Sequence, residues 1–179
     1  FSSSLSPDAT DFRLIYDLTN TSGAELAGVA FLSFFDAEID ETLNTFFNEF
    51  AETRGTLAPG QAYEVDEPGF EFGNIFENAK RAALDGTNAI PSSAPDDVSM
   101  ALSFLIGQLA PGATARIEIL ISEDGDSLGG FAIDQRDPDP RSTTRISYSG
   151  ALTIIPEDVP VANPGDEIDV MMLDWEHAP

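Results

Sequence analysis

An all-β sandwich is the fold class that this 179-residue sequence predicts, and three observations predict it. Apolar residues recur at every second position in several separate stretches, which is the period of a strand with one face buried. Turn residues punctuate those stretches, with 14 Gly and 12 Pro in the chain. A single stretch carries helical signals, too few for the repeated crossovers of a parallel sheet. The expected architecture is a β-sandwich of seven or more strands with one short helix over 11–155, an extended N-terminal arm over 1–10, and a proline-rich linker with a C-terminal strand over 156–179.

Taken in order, Phe1 to Thr10 is Ser-rich with one Pro and reads as an extended arm. Phe12, Leu14, Tyr16 and Leu18 then alternate with Arg13, Asp17 and Thr19, and Asn20 to Gly23 closes that strand with turn chemistry. Asn20 also heads an N-x-S sequon, but its place in the turn is the better use. Val29 to Phe35 is almost continuously apolar and reads as a central strand covered on both faces. In Asn44 to Phe50, Phe46, Phe47 and Phe50 stand at helix-like spacing, which a short helix or a loop folded over the sheet both fit. Ala62 to Val65 alternates again after a Leu57-Ala-Pro-Gly60 turn. Asn74 with Glu77 has a capping-box spacing, and Ile75, Phe76, Ala79 and Ala83 form one stripe, so a helix is expected from about Ile75 to Leu84, ended by Gly86.

Asp97 to Glu123 is the clearest stretch of the chain. Val98, Met100, Leu102, Phe104 and Ile106 share one face, and Ala115, Ile117, Ile119 and Ile121 another, with Arg116 and Glu118 turned to solvent. The Leu109-Ala-Pro-Gly112 turn between them predicts a hairpin. A short strand follows at Phe131 to Ile133, and Arg145 to Ile155 alternates through Ile146, Tyr148, Leu152 and Ile154. Beyond it, three prolines over 156–167 lead into Ile168 to Trp175, an octet too apolar to be left in water, which must dock on its own domain or on a neighbour.

Composition narrows the function. There are 32 Asp+Glu against 8 Lys+Arg, a formal charge of -24, and Lys80 is the sole lysine. A nucleic acid partner is disfavoured, because a duplex needs a basic face to release its counterions, and an anionic membrane surface repels such a chain. No run approaches the roughly 20 apolar residues of a membrane span, so no membrane insertion is expected. With 42% hydrophobic residues and 13 Phe the chain folds rather than forming an acidic tail. No cysteine is present, so neither a disulfide, a thiolate zinc site nor a cysteine nucleophile can be built. The one histidine, His177, stands two residues from the last, and without a central base the usual nucleophile pairs cannot be assembled. No enzyme is expected.

Carboxylates are the remaining chemistry. Asp36, Glu38 and Asp40 alternate, which on an extended backbone puts three acids on one side, and Glu41 and Asn44 extend that cluster. Glu123, Asp124 and Asp126 form a second cluster beside glycines. Both are candidate calcium sites, and calcium is the one cofactor implied, although Glu41 and Phe47 stand where an EF-hand loop needs its glycine and its last glutamate.

The run from Phe12 to Ile155 carries Tyr16-Asp-Leu-Thr-Asn-Thr-Ser-Gly23, Phe34-Phe-Asp-Ala-Glu-Ile-Asp40, Asp66-Glu-Pro-Gly69 and the Leu-x-Pro-Gly turns. It resembles the immunoglobulin-like sandwich domains of secreted bacterial exopolymer-associated and surface-anchored proteins, those with a C-terminal Pro-Glu-Pro sorting signal among them. Ile155-Pro156-Glu157-Asp158 stands where such a signal begins, without the apolar span and basic cluster that complete it. The resemblance implies an immunoglobulin-like or jelly-roll-like sandwich, a secreted, cell-surface life and no reaction. A chain that starts at Phe1 rather than Met agrees with a processed, secreted product.

Two functions follow as expectations. One is a structural subunit of a fibre, sheath or surface layer that self-associates by strand donation, with Ile168, Val170, Met172 and Trp175 as the first donor and Phe1 and Leu5 of the arm as the second. The other is a monomeric module binding carbohydrate or another surface polymer. One Trp and three Tyr, two of the latter at inward strand positions, make a poor sugar platform.

Overall fold

The computed structural model describes residues 1–39, 45, 47–69 and 73–157. In chain order, those residues form β1 (Ser2–Leu5), β2 (Asp11–Thr19), β3 (Leu26–Asp36), β4 (Phe50–Arg54), β5 (Gln61–Asp66), α1 (Ile75–Lys80), β6 (Ser99–Leu109), β7 (Thr114–Ser122), β8 (Ala132–Arg136) and β9 (Arg145–Ile155). The strands make a six-stranded sheet, β1-β2-β7-β9-β8-β4, and a three-stranded sheet, β3-β6-β5. Every pairing is antiparallel. The fold is the predicted all-β sandwich with one short helix.

Alternation explains the core. In β6 the side chains of Met100, Leu102 and Phe104, and in β7 those of Ile117 and Ile119, are each at most 2% exposed. Their inner faces meet across the two sheets, where burying each such side chain contributes about 1.5–3 kcal/mol. Phe35 of β3 stacks on the fully buried Tyr148 of β9, with ring centroids 5.5 Å apart. Tyr16 of β2 meets Phe31 of β3 at 4.9 Å, and Tyr63 of β5 meets Phe131 at 4.7 Å. Gly150 in β9 lets the sheets close, since a Cβ there would lie 2.7 Å from Phe104 Cζ and 2.8 Å from Ile119 Cδ1. On the solvent face of β2 and β7, Arg116 grips Asp17 through two hydrogen bonds of 2.8 and 2.9 Å, and Arg13 pairs with Glu118. Such exposed pairs are worth about 0.2–1 kcal/mol each.

Several expectations are corrected. β6 and β7 are not a hairpin: they lie in different sheets, and Leu109 to Gly112 is an arch that carries the chain from one sheet to the other. Both geometries bury one face of each strand, so alternation alone cannot separate them. Asn20 decides in favour of the arch locally, because its carbonyl accepts the Gly112 amide at 2.8 Å and its side chain donates to Leu109 O at 2.8 Å. Val29 to Phe35 is not a central strand covered on both faces, since among the described residues β3 is the edge of the smaller sheet and most of its residues are half-buried. The N-terminal arm is extended and exposed, and Ser2–Leu5 pairs with Phe12 to Ile15 of β2. β4 was not foreseen. Of the Asn44 to Phe50 stretch, Asn44 and Phe46 lie outside the described residues, Glu49 bridges to Asp96, and Phe50 opens β4.

The helix is shorter than expected. It starts at Ile75, which is fully buried, but makes no side-chain cap bond, and Glu77 pairs with Lys80 at 2.9 Å instead. It stops at Lys80 because Ala82 takes a left-handed conformation, φ 51°, and the Ala83 amide returns to Asn78 O. Gly86 does not cap it but donates its amide to Tyr63 O at 3.0 Å. The helix instead delivers Asn78, whose Nδ2 lies 2.9 and 3.1 Å from the two oxygens of Glu64, a fully buried acid on β5.

Burial pushes the Glu64 carboxyl above its ordinary value, against the hydrogen bonds from Asn78 and Asp85 that pull it down. The folded state therefore takes up its proton before the unfolded state does. The wild type should gain stability relative to Glu64→Gln as pH falls from neutral through the folded pKa, with no further gain below about 4.5, the ordinary value. Urea melts of both proteins between pH 7 and 4 check this, and a difference that stays flat across that window counts against it.

Candidate functional site

Two features of the sandwich lie outside its structural logic: an acidic end and an uncovered sheet edge. They meet at Asp36.

β3 ends at Asp36, opposite Ser99 near the start of β6, so the two strand termini bring Asp36 and Asp97 to the same end of the small sheet. The following residues, Ala37 to Ile39, cross toward the large sheet. Gln135 of β8 donates Nε2 to Ala37 O at 2.6 Å, the Glu49 carboxylate accepts from the Ile39 amide, and the Ile39 side chain is 1% exposed. Asp36, Glu38 and Asp97 each place a carboxylate oxygen within 4.8 Å of the others. No other trio of His, Asp or Glu is so gathered among the described residues. Glu49, which feels the charge of Asp97, is 1% exposed and its Oε2 has no hydrogen-bond partner; nor has Oε1 of the fully buried Gln135.

The electrostatics agree with the geometry. Burial, and then the charge of Glu67, raise the Asp36 carboxyl above its usual range. Burial also raises Glu49, with Asp137 and Asp97 adding repulsion, while its own amide and that of Ile39 act the other way. Of the predicted first cluster, the structure thus brings together Asp36 and Glu38, whereas Asp40, Glu41 and Asn44 lie outside the described residues. Asp97 and Glu49 were missed. Their only sequence signal was position, each one or two residues before a strand, and it needed the β3–β6 and β4–β8 pairings to be read.

The second predicted cluster is not a gathered site. Glu123, Asp124 and Asp126 do not bring three carboxylates together, and the loop is clamped through its main chain by arginines. Arg145 donates to Asp124 O at 2.7 Å, and Arg54 to Gly125 O at 2.8 Å while also pairing with Asp134 at 3.1 Å. Two guanidinium groups thus hold the main chain of this loop.

The edges of the sheets are treated unequally. β1 is four residues long and mostly serine. The segment from Gly86 to Asp96 covers two others: Val65 of β5 donates to Thr87 O at 3.0 Å and accepts from the Ala89 amide, while Ala51 of β4 donates to Ile90 O at 2.9 Å. Only the outer edge of β3 has no such cover among the described residues. Its register shifts at Leu26 and Val29 bend the first part, but Ala30 to Phe35 is regular, with neither charge nor proline. Soluble proteins ordinarily blunt an edge of that kind. No family model, curated protein or solved structure matches this chain.

Predicted contact residues divide the same way. Phe1 is 76% exposed yet its ring meets that of Tyr16, tilted, at 4.9 Å, and Leu5 is 59% exposed at the end of β1. Ile168, Val170, Met172 and Trp175 lie outside the described residues. All three tyrosines are engaged in packing, Tyr16 on Phe31, Tyr63 on Phe131 and Tyr148 on Phe35, so none of them forms a sugar-stacking platform. On the outer face of the small sheet Phe34 meets Phe76 edge-on at 6.2 Å, and the two line a shallow recess with Asp36, Pro68 and Gly69.

Proposed function

We propose that this chain is a structural subunit of a cell-surface assembly, joined to its neighbour by an extended segment laid along β3. The observation that carries the reading is the regular, uncharged edge from Ala30 to Phe35, which no described residue covers, whereas the β4 and β5 edges are covered and β1 is short. An added strand would satisfy its main-chain groups and place alternate side chains against the half-buried Phe31 and Phe35. The segment that offers such a pattern is Ile168 to Trp175, with Ile168, Val170 and Met172 at alternate positions. The described chain leads toward it from the correct end: Thr114 pairs with Ile155, and the arch beside it joins Leu109, the partner of Leu26 at the start of β3. Donor and acceptor are different segments of the chain, so a contact between copies is head-to-tail and propagates unless its rotation closes a ring. The absence of a tyrosine platform favours this reading over a carbohydrate module.

Light scattering on size-exclusion fractions tests it. The full chain should form concentration-dependent oligomers, and deleting Asn163 to Pro179 should leave a folded monomer that a peptide of those residues rebinds. Monomers at the highest attainable concentration, or a truncated protein that no longer folds, would show that the segment is a strand of its own sheet.

A further inference from the structure

We propose that the segment from Gly86 to Asp96 is a pH-sensitive strap, which closes one side of the sandwich in acid and loosens as pH rises, because a buried glutamate stands among like charges at each of its feet, Glu64 at the first and Glu49 at the second. The device is complete in one chain and does not depend on assembly.

β5 and β4 are edge strands of the small and the large sheet, and the strap crosses from one to the other. At its first foot Gly86 donates to Tyr63 O at 3.0 Å, Val65 donates to Thr87 O at 3.0 Å, and Ala89 donates back to Val65 O at 2.9 Å. At its second, Ala51 donates to Ile90 O and Asp96 to Glu49 O, both at 2.9 Å, while Asn88 Nδ2 reaches Ala51 O at 2.6 Å. Between the feet Ile90, 6% exposed, joins the core. Yet the strap meets the strands only in isolated bridges, Val65 with Asn88 and Glu49 with Asp96, and Pro91 and Pro95 have no amide to extend them into a ladder.

Each foot rests on an acid held out of water. Glu64 is fully buried, and its Oε2 accepts the amide of Asp85, the residue before the strap, at 3.2 Å. Glu49 is 1% exposed, and its Oε2 has no hydrogen-bond partner. The charges that face Glu64 are those of Asp85 and Asp66, and those that face Glu49 are Asp137 and Asp97. Among the described residues no cation forms an ion pair with either acid. Burial first, and then these neighbours, raise both carboxyls, against the bonds from Asn78 and the Asp85 amide at Glu64 and from its own amide and that of Ile39 at Glu49. Protonation removes both the desolvation cost and the repulsion. Opening lets water reach the acids and returns them toward their ordinary value of 4.5, so closure is strongest below that value and is lost as pH rises through the raised ones. An open strap bares the β4 and β5 edges, whose main-chain groups another strand can take.

Amide hydrogen exchange on the full chain tests the strap, read between pH 5 and pH 8 and corrected for the exchange rate of an unstructured chain. Protection of the Val65, Ala89, Ala51 and Asp96 amides should fall about tenfold or more across that range, while the β7–β9 ladder keeps its protection. Glu64→Gln should flatten the profile at Val65 and Ala89, and Glu49→Gln that at Ala51 and Asp96, since glutamine keeps the shape and cannot ionise. Asp137→Asn removes one charge facing Glu49, so it should shrink the fall at Ala51 and Asp96 and leave the Glu64 foot as it is. A flat wild-type profile would overturn the strap, as would a fall shared by the β7–β9 ladder or one that persists in the glutamine variants. If those variants do not fold, Asp137→Asn decides, and a profile identical to the wild type's overturns the proposal.

Discussion

Leu102→Ala and Ile119→Ala should each lower the unfolding free energy by about 2–5 kcal/mol, whereas Ser103→Ala and Glu118→Ala should change it by about 1 kcal/mol or less. Leu102 and Ile119 are both fully buried, on β6 and β7, and they reach the same core from opposite sheets. Truncating either removes apolar contacts and leaves a cavity that the two pleated sheets cannot collapse around. Ile119 belongs at the upper end of the range, because its Cδ1 packs over Gly150, which has no side chain to fill the space. Ser103 and Glu118 face outward; the Glu118 carboxylate holds only the half-exposed Arg13, a pair of small worth. Urea melts of the four variants measure the contrast. Similar losses at both parities would remove the strand assignment of β6 and β7 and with it the sandwich.

The same two strands show what a sequence can and cannot tell. Their alternation located both strands and the inward residues correctly, because period two is set by the pleat itself. It could not tell an arch from a hairpin, since each leaves one face buried; that choice rests on Asn20, 89 residues from Leu109 in the chain. The apolar run of β3 suggested burial on both faces, but hydrophobicity cannot distinguish a covered central strand from a half-buried edge strand. β1 was hidden by its serines and β4 by its charges, Glu52 and Arg54 on an edge strand. Asp36 and Glu38 were legible as a local pair of acids. Asp97 was not, because it stands just before β6 and only the pairing of β3 with β6 brings it beside Asp36 and Glu38.

Asn20→Ala should destabilise the fold by about 2–4 kcal/mol, and Asn20→Asp by more at neutral pH. Asn20 is 1% exposed and fills four side-chain bonds: Nδ2 donates to Ala24 O at 2.9 Å and Leu109 O at 2.8 Å, while Oδ1 accepts from the Ser22 amide at 2.9 Å and the Ser22 hydroxyl at 2.7 Å. Its main chain adds bonds to Gly112 and Ala113, so a single residue ties the turn after β2 to the arch between β6 and β7. Alanine keeps the main-chain bonds and strands the buried Leu109 carbonyl, which costs about 1–3 kcal/mol by itself. Aspartate is nearly the same shape but turns a carboxylate oxygen toward two carbonyl oxygens, exchanging attraction for repulsion in a buried place. The order of the two variants therefore reads the donor role separately from the volume. Acid distinguishes them further: the introduced carboxyl, buried against acceptors, holds its proton more tightly folded than unfolded, so the aspartate variant should regain stability as pH falls toward the ordinary carboxyl range while the alanine variant does not. Urea melts at pH 7 and pH 5 measure both differences. An aspartate variant as stable as the alanine one at pH 7 would mean that the amide donor does not hold the arch.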